Sequence, residues 1–115
     1  MASKLSKDSR PTWPRRAIVT AGMPYGNKNL HFGHVGGVFI PADFYARFLR
    51  DRIGRENVLF VSGTDCYGSP IMESYRKLHD EQGYEKHISD YVEANHESQA
   101  ATLAGYDVEP DFFGG

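Results

Sequence analysis

The sequence predicts an α/β fold in which parallel strands are joined by crossover helices. Two runs, RAIVTAGM over residues 16–23 and NVLFVSGTD over 57–65, are short, apolar and rich in β-branched residues, as buried strands are. Between them the apolar residues recur at helical spacing. Each run ends in small or turn-forming residues, so each strand passes through a loop into a helix. A strand, a helix and a second strand make a βαβ unit with a right-handed crossover and parallel strands. The loops after Val19 and Val61 then share the carboxyl edge of the sheet, the edge at which open α/β sheets hold ligands.

In chain order, residues 1–14 read as a flexible basic tail. Lys4, Lys7 and Arg10, followed by Arg15 and Arg16, are opposed only by Asp8, and Pro11 and Pro14 close the segment. The first strand stops at Gly22 and Pro24. From about His34, the residues Val38, Ala42, Tyr45, Leu49 and Ile53 fall on one helical stripe, which Gly54 ends. Pro41 lies inside this helix and predicts a local bend. After the second strand, Ser69 and Pro70 look like the cap and first position of a helix with Ile71, Tyr75 and Leu78 on one face, ending at Gly83. A last helix, Glu85 to Ala104, has a thin apolar face of Ile88, Val92 and Leu103. The closing DVEPDFFGG reads as an interrupted sequence. Two strands supply a small open sheet with an apolar face left uncovered, which predicts self-association of the chain.

Composition narrows the function classes. With 115 residues, 40% of them hydrophobic, the chain has the size and make-up of one folded domain. No run approaches the length of a membrane span and the start lacks a signal peptide's apolar stretch, so a cytoplasmic location without membrane contact is the expectation. One cysteine, Cys66, excludes an internal disulfide and makes a zinc site within the chain improbable. A net charge of −2 argues against a large nucleic-acid footprint. His79, His87 and His96 are spaced too widely for a compact metal motif and are assigned to helix surfaces, and no metal ligands are predicted.

The chemistry concentrates in GMPYGNKNLHFGHVGG, residues 22–37. A loop between a strand and a helix presents unpaired backbone N–H groups and the positive end of the helix dipole, which favour an anion such as phosphate. His31 and His34, three apart, project to one side, and Gly33 lets a group approach the backbone. Two imidazoles there either donate to phosphate oxygens or act as surface caps. Asp65, at the tip of the second strand, either caps the next turn or pairs with a cationic substrate group.

Met23-Pro24-Tyr25, Asn27 and His31-Phe32-Gly33-His34, followed by Ser62-Gly63-Thr64-Asp65 with Gly68, resemble two landmarks of the methionyl-tRNA synthetases, a family of class I aminoacyl-tRNA synthetases. The similarity runs from about Ala17 to Phe113. It implies the first half of a Rossmann-like nucleotide-binding fold, with residues 15–115 forming part of a catalytic domain that stops before the family's second signature. It implies ATP-dependent activation of methionine and its transfer to tRNA, with ATP carrying magnesium. His31 and His34 become the catalytic phosphate contacts, Gly33 the adenosine platform, so that His31, Gly33 and His34 bind ATP, while Met23, Tyr25 and Asp65 bind methionine. Relatives for leucine, isoleucine and valine usually carry tryptophan where Thr64 stands, which favours methionine.

Tyr67 stands where many members have histidine, and Lys28 where glycine is common. No lysine lies in a K-M-S-K-S context, so half of the active site is absent and the chain alone is expected to lack full activity. The other reading is a free-standing, non-catalytic remnant that binds a nucleotide, an amino acid or a partner protein.

Overall fold

The computed structural model describes residues 12–115; most of the basic tail, residues 1–11, lies outside the described residues. Strand β1 (Ala17–Thr20) leads through an eleven-residue loop into helix α1 (Phe32–His34), which runs through a π turn (Val35–Phe39) into α2 (Ile40–Ile53). Strand β2 (Val58–Gly63), helices α3 (Ser69–Gln82) and α4 (Ile88–Gly105) and strand β3 (Phe112–Gly114) follow. The sheet has the order β1-β2-β3, and both pairs are parallel. The chain is thus α/β, as its sequence predicts, consistent with the first half of a Rossmann-like fold.

Alternation along the strands sends Val19, Val58 and Phe60 to one face, where they share a core with Phe39, Ala46 and Leu49 of the first helical run and Leu103 of α4. Both crossover segments therefore cover the same face. Ile18, Leu59 and Phe112 point the other way and stay exposed.

Three expectations need correction. The sheet has three strands rather than two: Phe112 and Phe113 pair with Val61 and Ser62 in a third strand, too short and glycine-rich to show as a period-2 pattern. The helix does not simply bend at Pro41. A π turn, with the N–H of Ile40 bonded to the carbonyl of Val35, precedes the proline and leaves it in the first turn of α2, where a missing N–H costs little. The buried stripe of that helix is also wider than predicted, since Val38, Ala42 and Ile53 pack against the core as expected but are not alone there. Phe39, Ala46 and Leu49 are buried together with Asp43 and Arg50, while Tyr45 is exposed. Paired charges on the inner face disguised it as surface.

Those charges fasten the segment that precedes β3. Asp43 accepts from Arg47 and from the backbone N–H of Glu109. The Asp111 carboxylate accepts from Arg50 (3.0 Å) and from the N–H of Phe60 (2.8 Å), and these donors hold its pKa below the usual aspartate value. Helix α3 starts at Ser69, with Gly68 rather than Ser69 as the cap, and ends at Gly83, whose φ of +71° is the left-handed closure expected of glycine. Helix α4 begins at Ile88, where the His87 side chain caps the N–H of Ser89. Tyr75, Tyr84 and Tyr91 cluster where α3 meets α4.

Candidate functional site at the carboxyl edge of the sheet

The two loops that share the carboxyl edge meet there, through Pro24–Gly26 rather than through His31 and His34. Beyond the end of β1, Tyr25 and Asp65 form a parallel bridge: the N–H of Asp65 donates to the carbonyl of Pro24 (2.7 Å) and that of Gly26 to the carbonyl of Asp65 (2.8 Å). This extends the β1–β2 pairing past a break in the strand and sets Asp65 beside the glycine-broken loop. Asp65 is half-buried, and its carboxylate accepts from the N–H of Tyr67 (3.2 Å), so it braces its own turn while Gly68 caps α3. Met23 and Asp65 line a cavity of ≈ 550 Å³ with Thr20, Val61, Cys66 and Phe112, at the end of the open face of the sheet. The exposed Tyr25 side chain does not line it, and neither do His31 and His34.

His31 caps the helix that follows. Its Nδ1 accepts from the N–H of Gly33 (2.9 Å), and Nδ1 of His34 accepts from the N–H of His31 (3.2 Å). The reciprocal pattern is a capping box with histidines in both roles. The two rings stack with centroids 3.8 Å apart. A Cβ at Gly33 would lie 2.7 Å from Cε1 of His31, so only glycine lets that ring fold over the backbone. Backbone N–H groups donate and never accept. Each Nδ1 therefore carries a lone pair, and each neutral ring holds its proton on Nε2. Burial, His31 and Lys28 all push the pKa of His34 down, which favours the same neutral form. The stacked pair presents two N–H donors, and capping and donation to an anion turn out to be compatible because they use opposite ring nitrogens.

The other side of the loop is held by Gln99, Thr64 and Tyr91, of which only Thr64 stands out in the sequence, as part of the second landmark. Gln99 and Thr64 are each 1% exposed. The Gln99 amide nitrogen donates to the carbonyls of Tyr25 and Lys28, both at 3.0 Å, and Thr64 Oγ1 donates to its Oε1 at 2.9 Å. His96, expected on a helix surface, is half-buried on α4: its Nδ1 is 2.8 Å from Thr64 Oγ1 and its ring stacks on Phe113. Tyr91 donates to the carbonyl of Asn27. The signal was the thinness of the α4 stripe, since a buried Gln at position 99 interrupts it. Cys66 is half-buried, and burial with the Asp65 charge beside it raises its pKa, which makes it a poor nucleophile.

Among the described residues no helix is long and apolar enough to cross a membrane. Residues 17–115 match the family model described as tRNA synthetases class I (M). Over 58 residues the chain is 52% identical to a methionine–tRNA ligase of Cytophaga hutchinsonii, covering 50% of this chain and 8% of that protein. Over 100 residues it is 36% identical to the enzyme of that name from Chlamydia caviae, covering 87% of this chain and 17% of that protein. With that from Pyrococcus furiosus the identity is 34% over 99 residues, covering 86% of this chain and 13% of that protein. The chain thus spans less than a fifth of the length of these relatives. Two landmark loops joined across a parallel bridge, a histidine capping box at the strand-to-helix turn and a family match over nearly the whole domain lead to one conclusion: the chain belongs to the class I tRNA synthetases of the methionine group.

Proposed function

We propose that this domain supplies the ATP- and methionine-binding part of a methionine–tRNA ligase, a soluble cytoplasmic protein whose remaining parts complete the reaction and receive tRNA. The observation that carries this reading is the histidine pair with both Nδ1 atoms occupied by backbone donors, which leaves two Nε2–H groups for phosphate oxygens. In the first half-reaction a methionine carboxylate oxygen attacks the α-phosphorus of ATP. A new P–O bond forms, the bond to the β-phosphate oxygen breaks, and pyrophosphate leaves with its electron pair. No proton need move, so positioning and charge stabilisation are the protein's work. His31 and His34 donate to the phosphate oxygens as charge builds, Gly33 admits the nucleotide to the backbone, and magnesium travels with ATP. Asp65 pairs with the methionine ammonium, Met23 lines the cavity beside it, and Tyr25, whose side chain lies outside that cavity, meets the amino acid from the loop bridged to Asp65.

Calorimetric titration with magnesium-ATP tests the reading. His31→Ala and His34→Ala should each weaken binding by about tenfold, in line with the loss of one donor to a charged acceptor. Unchanged affinity in both variants rejects the assignment. The chain alone should show negligible methionine-dependent ATP–pyrophosphate exchange, because loss of even one transition-state donor costs about a hundredfold or more.

A further inference from the structure

We propose that Gln99 is the positioning residue that holds the Tyr25–Lys28 loop against the Asp65 strand tip, and that the hydrogen-bond polarity it passes through Thr64 fixes the His96 ring with a proton on Nδ1.

The polarity follows from groups that have no choice. The carbonyls of Tyr25 and Lys28 can only accept, and both lie 3.0 Å from one end of the Gln99 amide, which must be its nitrogen. Its oxygen, which also can only accept, faces Thr64 Oγ1 at 2.9 Å. The Thr64 hydroxyl proton is thereby committed. At 2.8 Å from His96 Nδ1, the Thr64 oxygen has only lone pairs left to offer, so Nδ1–H is the donor. This holds in either protonation state of the ring. His31, His34 and His87 present the reverse arrangement, because in each of them Nδ1 accepts from a backbone N–H or supports the cap. His96 is the exception among these four.

The chain of bonds links three separate segments. It starts at the loop carrying Tyr25, crosses a nine-tenths-buried amide on α4 and ends beside Asp65, whose N–H is already bonded to that loop. Beside the backbone bridge at Asp65 and the Tyr91 bond to Asn27, loop and strand tip are consequently joined through one side chain that forms no part of the histidine capping box. Losing Gln99 leaves two carbonyls without their side-chain donor and loosens the loop beside Asp65, where only the backbone bridge and Tyr91 still hold it. The effect should fall on the amino-acid side of the site, which rests on the reading of Asp65 and Tyr25 as methionine contacts.

Two measurements on the chain separate the possibilities. Long-range ¹H–¹⁵N correlation spectra at alkaline pH, where imidazoles are neutral, report which ring nitrogen holds the proton. We expect Nδ1–H for His96 and Nε2–H for His31, His34 and His87. Thr64→Val should move His96 towards Nε2–H, while Thr64→Ser retains Nδ1–H. An Nε2–H signal for His96 in the unaltered chain, or no change in Thr64→Val, overturns the polarity whatever the site binds. In parallel, Gln99→Met should weaken methionine binding about tenfold or more with ATP affinity changed less than about threefold, a split that general loosening of the fold does not give. Equal losses for both ligands, or none, overturn the positioning role. If the unaltered chain binds ATP but no methionine, the assignment of Asp65 and Tyr25 fails while the His96 spectra still decide the polarity. Should Gln99→Met not fold, Thr64→Val carries the spectroscopic test alone.

Discussion

Leu59 and Phe60 are neighbours on the central strand, yet they belong to different worlds. Phe60 is fully buried beneath α2 and α4, whereas Leu59 is 46% exposed on a face over which no helix lies among the described residues. The covered face obeys the ordinary rule for a sheet packed on one side. The open face keeps the apolar character of a two-sided sheet, with Ile18 and Phe112 beside Leu59, and it runs directly into the cavity of Met23 and Asp65. One face stabilises the domain. The other stays apolar and exposed, and it leads to the candidate site.

The sharpest way to break this distinction is to truncate each neighbour in turn. Phe60→Ala removes a ring from a core that cannot easily collapse and should cost about 3–5 kcal/mol in urea unfolding. Leu59→Ala, one residue away, should cost under about 1 kcal/mol. Similar losses at dilutions where the chain is monomeric would mean that the chain itself covers the open face.

Next in size is the charged fastening behind the covered face. Asp111→Ala strands the buried Arg50 and frees the N–H of Phe60, for a loss of about 2 kcal/mol, less than for a fully buried pair because the aspartate side chain is 29% exposed. The same contact gives an acid dependence. Because folding lowers the Asp111 pKa from its ordinary 3.8, the unfolded chain binds the proton more readily, and stability present above pH 3.8 is lost as pH falls through the lowered value. In Asp111→Asn this part of the acid transition should disappear from a pH series of unfolding curves.

Legibility in the sequence followed the kind of interaction. Strands β1 and β2 and the meeting of the loops at Asp65 were readable because apolar runs and turn residues are local signals. The histidine loop stood out through its spacing and through its likeness to a known family. What stayed hidden was polar and long-range. Asp43 and Arg50 read as surface because their partners, Glu109 and Asp111, lie more than sixty positions away. Gln99 and His96 read as a weak helix face for the same reason, since the carbonyls of Tyr25 and Lys28 and the Thr64 hydroxyl that satisfy them belong to other elements. Strand β3 depends on pairing with β2, which three residues cannot announce.

A smaller effect is expected where the site meets the helix. Gly33→Ala forces the His31 ring off its cap, at about 1 kcal/mol, the usual cost of losing an N-terminal cap. Protonation acts on the same box. Because folding lowers the His34 pKa, the capped form is fully present above pH 6.5 and is disfavoured as pH falls below it. Proton-detected titration of His34 should give a midpoint below 6.5 in the unaltered chain that moves back towards it in Gly33→Ala.

The smallest change in stability should accompany the largest change in association. We infer that the open face draws two copies of the chain together, since Ile18, Leu59 and Phe112 stay exposed on adjacent parallel strands and burying such surface gains roughly 25 cal/mol per Å². Leu59→Lys places a charge at the centre of that face while leaving Phe60 and the helices untouched. Unfolding should change by less than about 1 kcal/mol, as for other substitutions at exposed positions. Sedimentation over a concentration series should show association for the unaltered chain and monomers for the variant. A face that is merely tolerated would give the same sedimentation in both, and the division between Leu59 and Phe60 would then reduce to packing, with no partner implied.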